Sequence, residues 1–267
     1  MSLMPNAPQS IGGVLDHGLR LYRHAVVPCI PLALVASILS AFPALWLSLH
    51  MEGISPTDTR ALLSIYASPA IWGTFLLVLL PLCVIYGALF ARIDAIARGE
   101  QSTLGAALGV GLRRTPAILG VGILFMLMIF VGMCLLLIPG IYLWGVFQFA
   151  IAAAVLERAG VFGSLGISFR LVKGNWWRAN AIMFIAFVIM FVLIVVIGII
   201  VGIAVAMGGI PRPGALSTGQ MLIQQGLSSV LNLFVMSFLP CVMLSVYYDL
   251  KLRNEGSDLA SRVEALN

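Results

Sequence analysis

Charge is scarce in this 267-residue chain: Asp, Glu, Lys and Arg make up 9% of it, against 61% hydrophobic residues and a mean hydropathy of +1.09. A soluble domain carries roughly 25% charged residues, so this chain cannot build a wettable surface and a water-soluble globular class is excluded. No Asp, Glu, Lys, Arg or His lies in the middle of any long apolar run. Proton relays, ion-coupled carriers and voltage sensors depend on such groups, which argues against a charge-coupled pump. The 4 cysteines, Cys29, Cys83, Cys134 and Cys241, lie inside apolar segments without paired spacing, and the 3 histidines are scattered. They read as small buried hydrophobes, and no metal site is expected.

Catalytic signatures are missing too. The chain has no paired carboxylates, no metal-spaced histidines, no Gly-x-Ser-x-Gly elbow and no phosphate-cradling Gly-x-x-x-x-Gly-Lys run. Asp16 and His17 are neighbours in sequence and therefore point to different faces of a helix. A hydrolase needs a nucleophile or metal, a base and an orienting group converging in one place, so neither an enzyme nor a cofactor is expected. The net charge of +5 is accounted for by basic membrane-boundary residues, so nucleic acid is not an expected partner.

What is present is repetition. Gly13-Val-Leu-Asp-His-Gly-Leu-Arg20, Ala106-Ala-Leu-Gly-Val-Gly-Leu-Arg113 and Gly163-Ser-Leu-Gly-Ile-Ser-Phe-Arg170 align without gaps, each before a pair of apolar runs. The runs cover approximately residues 25–48, 69–91, 115–138, 140–156, 179–209 and 222–248, and most exceed the ~20 residues a helix needs to cross the hydrocarbon. Lipid offers backbone groups no partners, so these are helices. The expected fold is all-α and polytopic, with about six transmembrane helices in three parallel repeats (about 11–100, 101–159 and 160–256) within a single membrane domain, 1–256, and a polar cytoplasmic tail at 257–267. The fourth run is short. At about 1.5 Å per residue its 17 residues reach about 26 Å, which leaves open whether helices three and four, turned at Ile138-Pro139-Gly140, span fully or form a hairpin that stops short of the far face.

Basic residues orient the chain. Arg20, Arg23, Arg92, Arg98, Arg113, Arg114, Arg158, Arg170, Lys173, Arg178, Lys251, Arg253 and Arg262 fall on one side, and only Arg60 and Arg212 on the other. Both termini are therefore expected in the cytoplasm, with Trp46, Trp72 and Trp144 at the outer boundary and Trp176, Trp177, Tyr247 and Tyr248 at the inner one. The first run, too long for a signal-peptide core, is read as an uncleaved helix. Residues 1–10 read as a short flexible leader.

Each repeat is expected to start with an amphipathic helix in the interface plane. In the first, Ile11, Val14, Leu15, Leu19 and Tyr22 share an apolar face, with Asp16, His17, Arg20 and Arg23 on the rest. An arginine at its end can bury its methylenes and offer a planar, bidentate donor to a lipid phosphate, which makes Arg20, Arg113 and Arg170 the headgroup-binding candidates. The same residues also serve the positive-inside bias alone. The repeats end alike as well: Asp94 precedes Arg98 by four residues, Asp249 precedes Arg253 by four, and Glu157-Arg158 stands at the corresponding end of helix four. These pairs stabilise a helix where it leaves the bilayer. They are also candidates for docking a protein partner at the cytoplasmic face.

Polar groups at depth, Gln148, Ser228, Ser229, Asn232 and Ser237, are expected to hydrogen-bond between helices. Pro81 and Pro240 are read as shaping the bundle. Gly198, Gly202 and Ala206 form a small-residue face that packs helices or joins two copies, so an oligomer is compatible with the chain.

Four stretches carry a resemblance: Ile11 to Arg23, Leu137-Ile-Pro-Gly-Ile-Tyr-Leu-Trp144, Gly160 to Arg178 and Val246-Tyr-Tyr-Asp-Leu-Lys-Leu-Arg-Asn-Glu-Gly256. In order and spacing they resemble the membrane domain fused to some glycerophosphoryl diester phosphodiesterases and related stand-alone bacterial inner-membrane proteins. The resemblance implies a bacterial cytoplasmic-membrane location and six helices. Where such a domain is fused to an esterase, the hydrolytic residues belong to the other domain, so no catalytic residue carries over. The combined expectation is a non-enzymatic protein that binds or handles phospholipid or a similar amphiphile through its cytoplasmic-side arginines. A membrane scaffold or accessory subunit for an enzyme or exporter is the alternative, and a solute channel or exporter the third.

Overall fold

The computed structural model describes residues 3–5, 7–50, 58–135, 137–207, 226 and 234–256, and every regular element among them is helical. In chain order these are α1 (Ile11–His50), α2 (Thr59–Tyr66), α3 (Pro69–Arg98), α4 (Leu104–Leu135), α5 (Leu137–Phe147), α6 (Ala150–Leu156), α7 (Val161–Val172), α8 (Trp176–Met207) and α9 (Phe234–Gly256). Among the described residues six helices are long and apolar enough to cross a membrane, the fourth being Ile138–Leu156. The chain is a multi-pass membrane protein by this measure. Ser228, Ser229, Asn232, Arg212 and the 257–267 tail lie outside the described residues, as does the side chain of Ala206.

Local chemistry sets the element ends. At the start of α3 the Ser68 hydroxyl accepts from the Ala70 N–H at 3.3 Å, and Pro69 occupies a first-turn position where its missing N–H costs nothing. Its other end closes on Gly99, whose φ of 76° lies in the left-handed region that glycine adopts without strain. The fourth span is broken at Gln148 and Phe149 into α5 and α6. α5 then runs beside the first turns of α8: Tyr142 stacks on Trp176 at 5.7 Å, Gly145 sits against Asn180, and Trp144 packs on Phe187 at 5.8 Å. This departs from the expected aromatic belts, since Trp144 and Trp176 were assigned to opposite boundaries.

The amphipathic leading segments also differ from expectation. Only the third, α7, is a separate helix, ended by a turn in which Gly174 takes a φ of 82°. The first and second are continuous with the spans that follow, in α1 and α4. No left-handed residue interrupts the chain there, and α1 continues through Pro28 and Pro31, since prolyl rings are tolerated inside long membrane helices. The start of α1 also packs on protein: Val14 and Leu21 are buried, Gly18 abuts Val242 of α9, and His17, placed on the polar face by sequence, is buried as well.

α9 is the centre of the bundle. More than half of its apolar window is buried (61%), whereas the corresponding share in α4 is 17% and in α8 is 22%. Phe238, Val242, Val246, Tyr247 and Leu250 of α9 join a core with Phe90, Phe149, Val172 and Ile182. Cys241 and Leu244 on another side of the same helix join Leu21, Cys29, Leu32, Leu89 and Ile93 of α1 and α3. Outward-facing residues such as Leu77, Met126, Phe130, Phe184 and Phe191 are exposed and apolar, a surface that suits hydrocarbon rather than water. α3 and α4 meet most closely where Gly111 rests on the backbone of Val84 and Ala88, and Gly87 lies across from it. Small residues permit this approach.

Candidate functional site

Three consecutive residues of α9 organise the arginine-rich end of the molecule. Successive helical residues point about 100° apart, so Tyr247, Tyr248 and Asp249 reach three different elements. Tyr247 donates to Glu157 Oε1, just past α6, at 3.1 Å. Tyr248 donates to Asp94 Oδ1 near the end of α3. Asp249 accepts from Arg178 Nη2 of α8 at 3.1 Å and from Arg253 Nε at 3.0 Å. The two tyrosine rings pack edge to face, with centroids 5.8 Å apart.

The leader is fastened to the same cluster. Gln9 donates its backbone N–H to Asp249 Oδ1 at 2.8 Å, and its carbonyl accepts from Arg253 Nη2 at 2.6 Å and from Arg178 Nη2. Leu3 donates its N–H to the Ala97 carbonyl at the end of α3, at 2.8 Å. The described part of the leader is therefore a strap held at α3 and α9, where sequence had indicated a flexible segment. Asp249 is 1% exposed, and its charge is sustained by donors converging from three segments. A buried carboxylate is tolerated only with such compensation.

Glu157 also accepts from Lys251 Nζ at 2.6 Å. That hydrogen bond and charge, with the Tyr247 hydroxyl, hold its carboxyl below the usual glutamate value, against an opposing push from burial. Arg92 of α3 differs from these groups: its Nε and Nη1 are inaccessible and have no hydrogen-bond partner among the described residues. Among the described residues the cysteines are free thiols and no cluster of His, Cys, Asp or Glu is placed to hold a metal.

The candidates named from sequence are distributed unevenly. Arg20, Arg113 and Arg170 are all exposed, on α1, α4 and α7, and none forms an ion pair with a described residue. Arg170 lines a small recess of about 150 Å³ beside Tyr247, Lys251 and Asn254. Asp94 and Asp249, named for docking, are buried and bonded within the chain, Asp94 to Arg98 and Tyr248. Their partners Arg98 and Arg253 remain more open, so the exits are helix-end pairs turned inward more than an outward surface. Gln148 donates to Asn180 Oδ1 at 3.1 Å, the interhelical bond expected of it. Arg178, Gln9 and the tyrosines were missed as members of a cluster; the tyrosines had been read as interfacial anchors. The Tyr-Tyr-Asp run was visible, but nothing in it names its partners.

Two hollows flank the α3–α4 contact. Toward the arginine-rich end, a polar recess of about 350 Å³ is lined by Asp94, Arg98, Glu100, Gln101, Ser102 and Arg158, and also by Ala91 and Val155. Beyond the contact, a cleft of about 850 Å³ is lined almost wholly by apolar groups: Leu79, Leu82, Cys83 and Tyr86 of α3, Ile118 to Phe130 of α4, and Ile151 of α6. Along α3 and α6 the two hollows stand little more than one helical turn apart, Tyr86 against Ala91 and Ile151 against Val155.

Fold and site together define an all-helical multi-pass membrane protein with a polar cluster at one end and an apolar cleft at depth. The chain belongs to the family described as a domain of unknown function (DUF7847), whose model matches residues 74–250. That range holds both hollows and the Tyr247–Asp249 cluster and leaves out the leader and α1. No curated protein and no solved structure matches the chain.

Proposed function

We propose that this protein is a non-enzymatic integral membrane protein that binds or helps handle a phospholipid or similar amphiphile. The observation that carries the reading is the apolar cleft of about 850 Å³ between α3 and α4, in the part of the chain that crosses the membrane. Its lining suits acyl chains, and a polar recess lies about one turn away toward the arginines. The resemblance to the phosphodiesterase-associated membrane domain fits the same reading and a place in the bacterial cytoplasmic membrane, with both termini cytoplasmic. The threefold relation between units belongs to the same reading and rests on the shared runs that end in Arg20, Arg113 and Arg170. In this reading Arg20, Arg113 and Arg170, exposed on three helices, contact the headgroups of surrounding lipid.

Gly122 gives a direct test. It lines the cleft, and a side chain built on it meets nothing within 4 Å. Gly122→Leu places an isobutyl group in the cleft from a position whose Cβ is unobstructed, so native mass spectrometry of the purified protein is expected to show fewer retained lipids than wild type. Equal retention in a variant with unchanged thermal stability would overturn the reading. The scaffold alternative rested on the charged exits, and the inward commitment of Asp94 and Asp249 leaves it less support.

A further inference from the structure

We infer that the polar recess at the arginine-rich end of α3 and α4 selects a zwitterionic, amine-bearing phospholipid headgroup. The inference rests on the lipid-handling reading and names the class of lipid. Its basis is the balance of groups left unsatisfied in the recess. Two guanidiniums and two carboxylates line it, but Asp94 is committed to Arg98 and Tyr248. Arg158 forms no ion pair with a described residue, and Glu100 approaches only Arg98 Nε, at 3.8 Å, beyond hydrogen-bond range. One cation and one anion are thus left with capacity for a ligand.

Arg158 is held for such a role. It is the one non-glycine residue among those described with a positive φ, 53°, and its carbonyl accepts from Arg114 Nη1 of α4 at 2.9 Å. The left-handed turn and this bond fix the chain just beyond α6, at the rim of the recess. A phosphate set against Arg158 receives planar, charge-assisted donors. An ammonium on the same headgroup then finds Glu100, with the Gln101 and Ser102 side chains alongside. An amine-free anionic headgroup would leave Glu100 facing negative charge. A choline headgroup carries positive charge but no N–H to donate. A phosphoethanolamine group satisfies both, and its chains have the apolar cleft about one turn away.

The test is native mass spectrometry of full-length protein after equilibration with nanodiscs holding equal parts phosphatidylethanolamine, phosphatidylglycerol and phosphatidylcholine of identical chains. Wild type is expected to retain the ethanolamine lipid over the other two by roughly fivefold, the scale of one partly screened hydrogen bond to a charged group. Glu100→Gln, at an exposed position, is expected to abolish the preference, whereas Arg158→Ala, which removes a donor to the phosphate that all three lipids share, and Gly122→Leu lower retention of every class alike. Retained lipid with no headgroup preference would overturn this inference and leave the lipid-handling reading standing. No retained lipid at all would overturn both. If soluble phosphoethanolamine alone displaced the lipid at matched concentration, the recess would be a site for a free metabolite and the lipid assignment would fall.

Discussion

Tyr248 donates a hydrogen bond to Asp94 across 154 positions of sequence, tying the last helix of the bundle to the end of α3. Its neighbours complete the joint: Tyr247 reaches Glu157 and Asp249 is held by Arg178, so one turn of α9 gathers three distant segments. Buried polar networks of this kind rigidify a fold when every member is satisfied.

Tyr248→Phe leaves Asp94, 2% exposed, with Arg98 as its remaining side-chain donor. An under-satisfied buried acceptor costs about 1–3 kcal/mol, so the variant should melt measurably below wild type in detergent. Tyr247→Phe should cost less, because Glu157 keeps Lys251. Equal melting curves for Tyr248→Phe and wild type would show that the joint adds nothing.

Asp249→Ala strands Arg178 without its acid and removes the acceptor for the Gln9 N–H. Breaking one side of a buried pair costs roughly 3–5 kcal/mol, a larger effect than either tyrosine substitution. It should also release the strap, which limited proteolysis would detect as faster cleavage N-terminal to α1.

Gly111→Ala drives a methyl group into the Val84 and Ala88 backbone. Backbone cannot yield as a flexible side chain does, so α3 and α4 must separate, at a cost of about 1–3 kcal/mol. Gly109→Ala, two positions away with nothing within 4 Å, should lie within about 0.5 kcal/mol of wild type. A ranking of the two by thermal unfolding checks the helix contact directly.

The Lys251–Glu157 pair predicts a pH dependence. Glu157 has its folded pKa depressed below the ordinary 4.5 by the Lys251 hydrogen bond. Its stabilising contribution is therefore complete above that ordinary value and disappears as pH falls through the lowered folded value. Melting temperatures of wild type and Lys251→Met should differ at neutral pH and converge on acidification. A difference that persists unchanged well below pH 4 would exclude the pairing as its source.

Much of the fold was legible because lipid leaves the backbone so few options. Long runs without charge, such as 69–91 and 179–209, can only be helices there. The spacing of Asp94 to Arg98 and Asp249 to Arg253 likewise placed each pair on one helical face, and both pairs form. Short-range chemistry of this kind needs no knowledge of neighbours. The leading segments were harder to read: an amphipathic pattern from Ile11 to Tyr22 fits a helix on the bilayer surface, yet Val14 and Leu21 are buried in protein.

The sequence by itself determined that the chain is helical, apolar outside and basic at one end, since these follow from composition and local spacing. Only the tertiary structure decided that α9 is the core and α8 is largely open to lipid. Protein interior and hydrocarbon are equally apolar, so a run of Leu, Ile and Val carries no mark of which one it faces. Nor does periodicity say that Tyr247, Tyr248 and Asp249 meet partners 90, 154 and 71 positions away. The recess and the cleft share that origin: they are spaces between α3, α4 and α6, set by where Gly111 lets two helices touch and where larger side chains hold them apart.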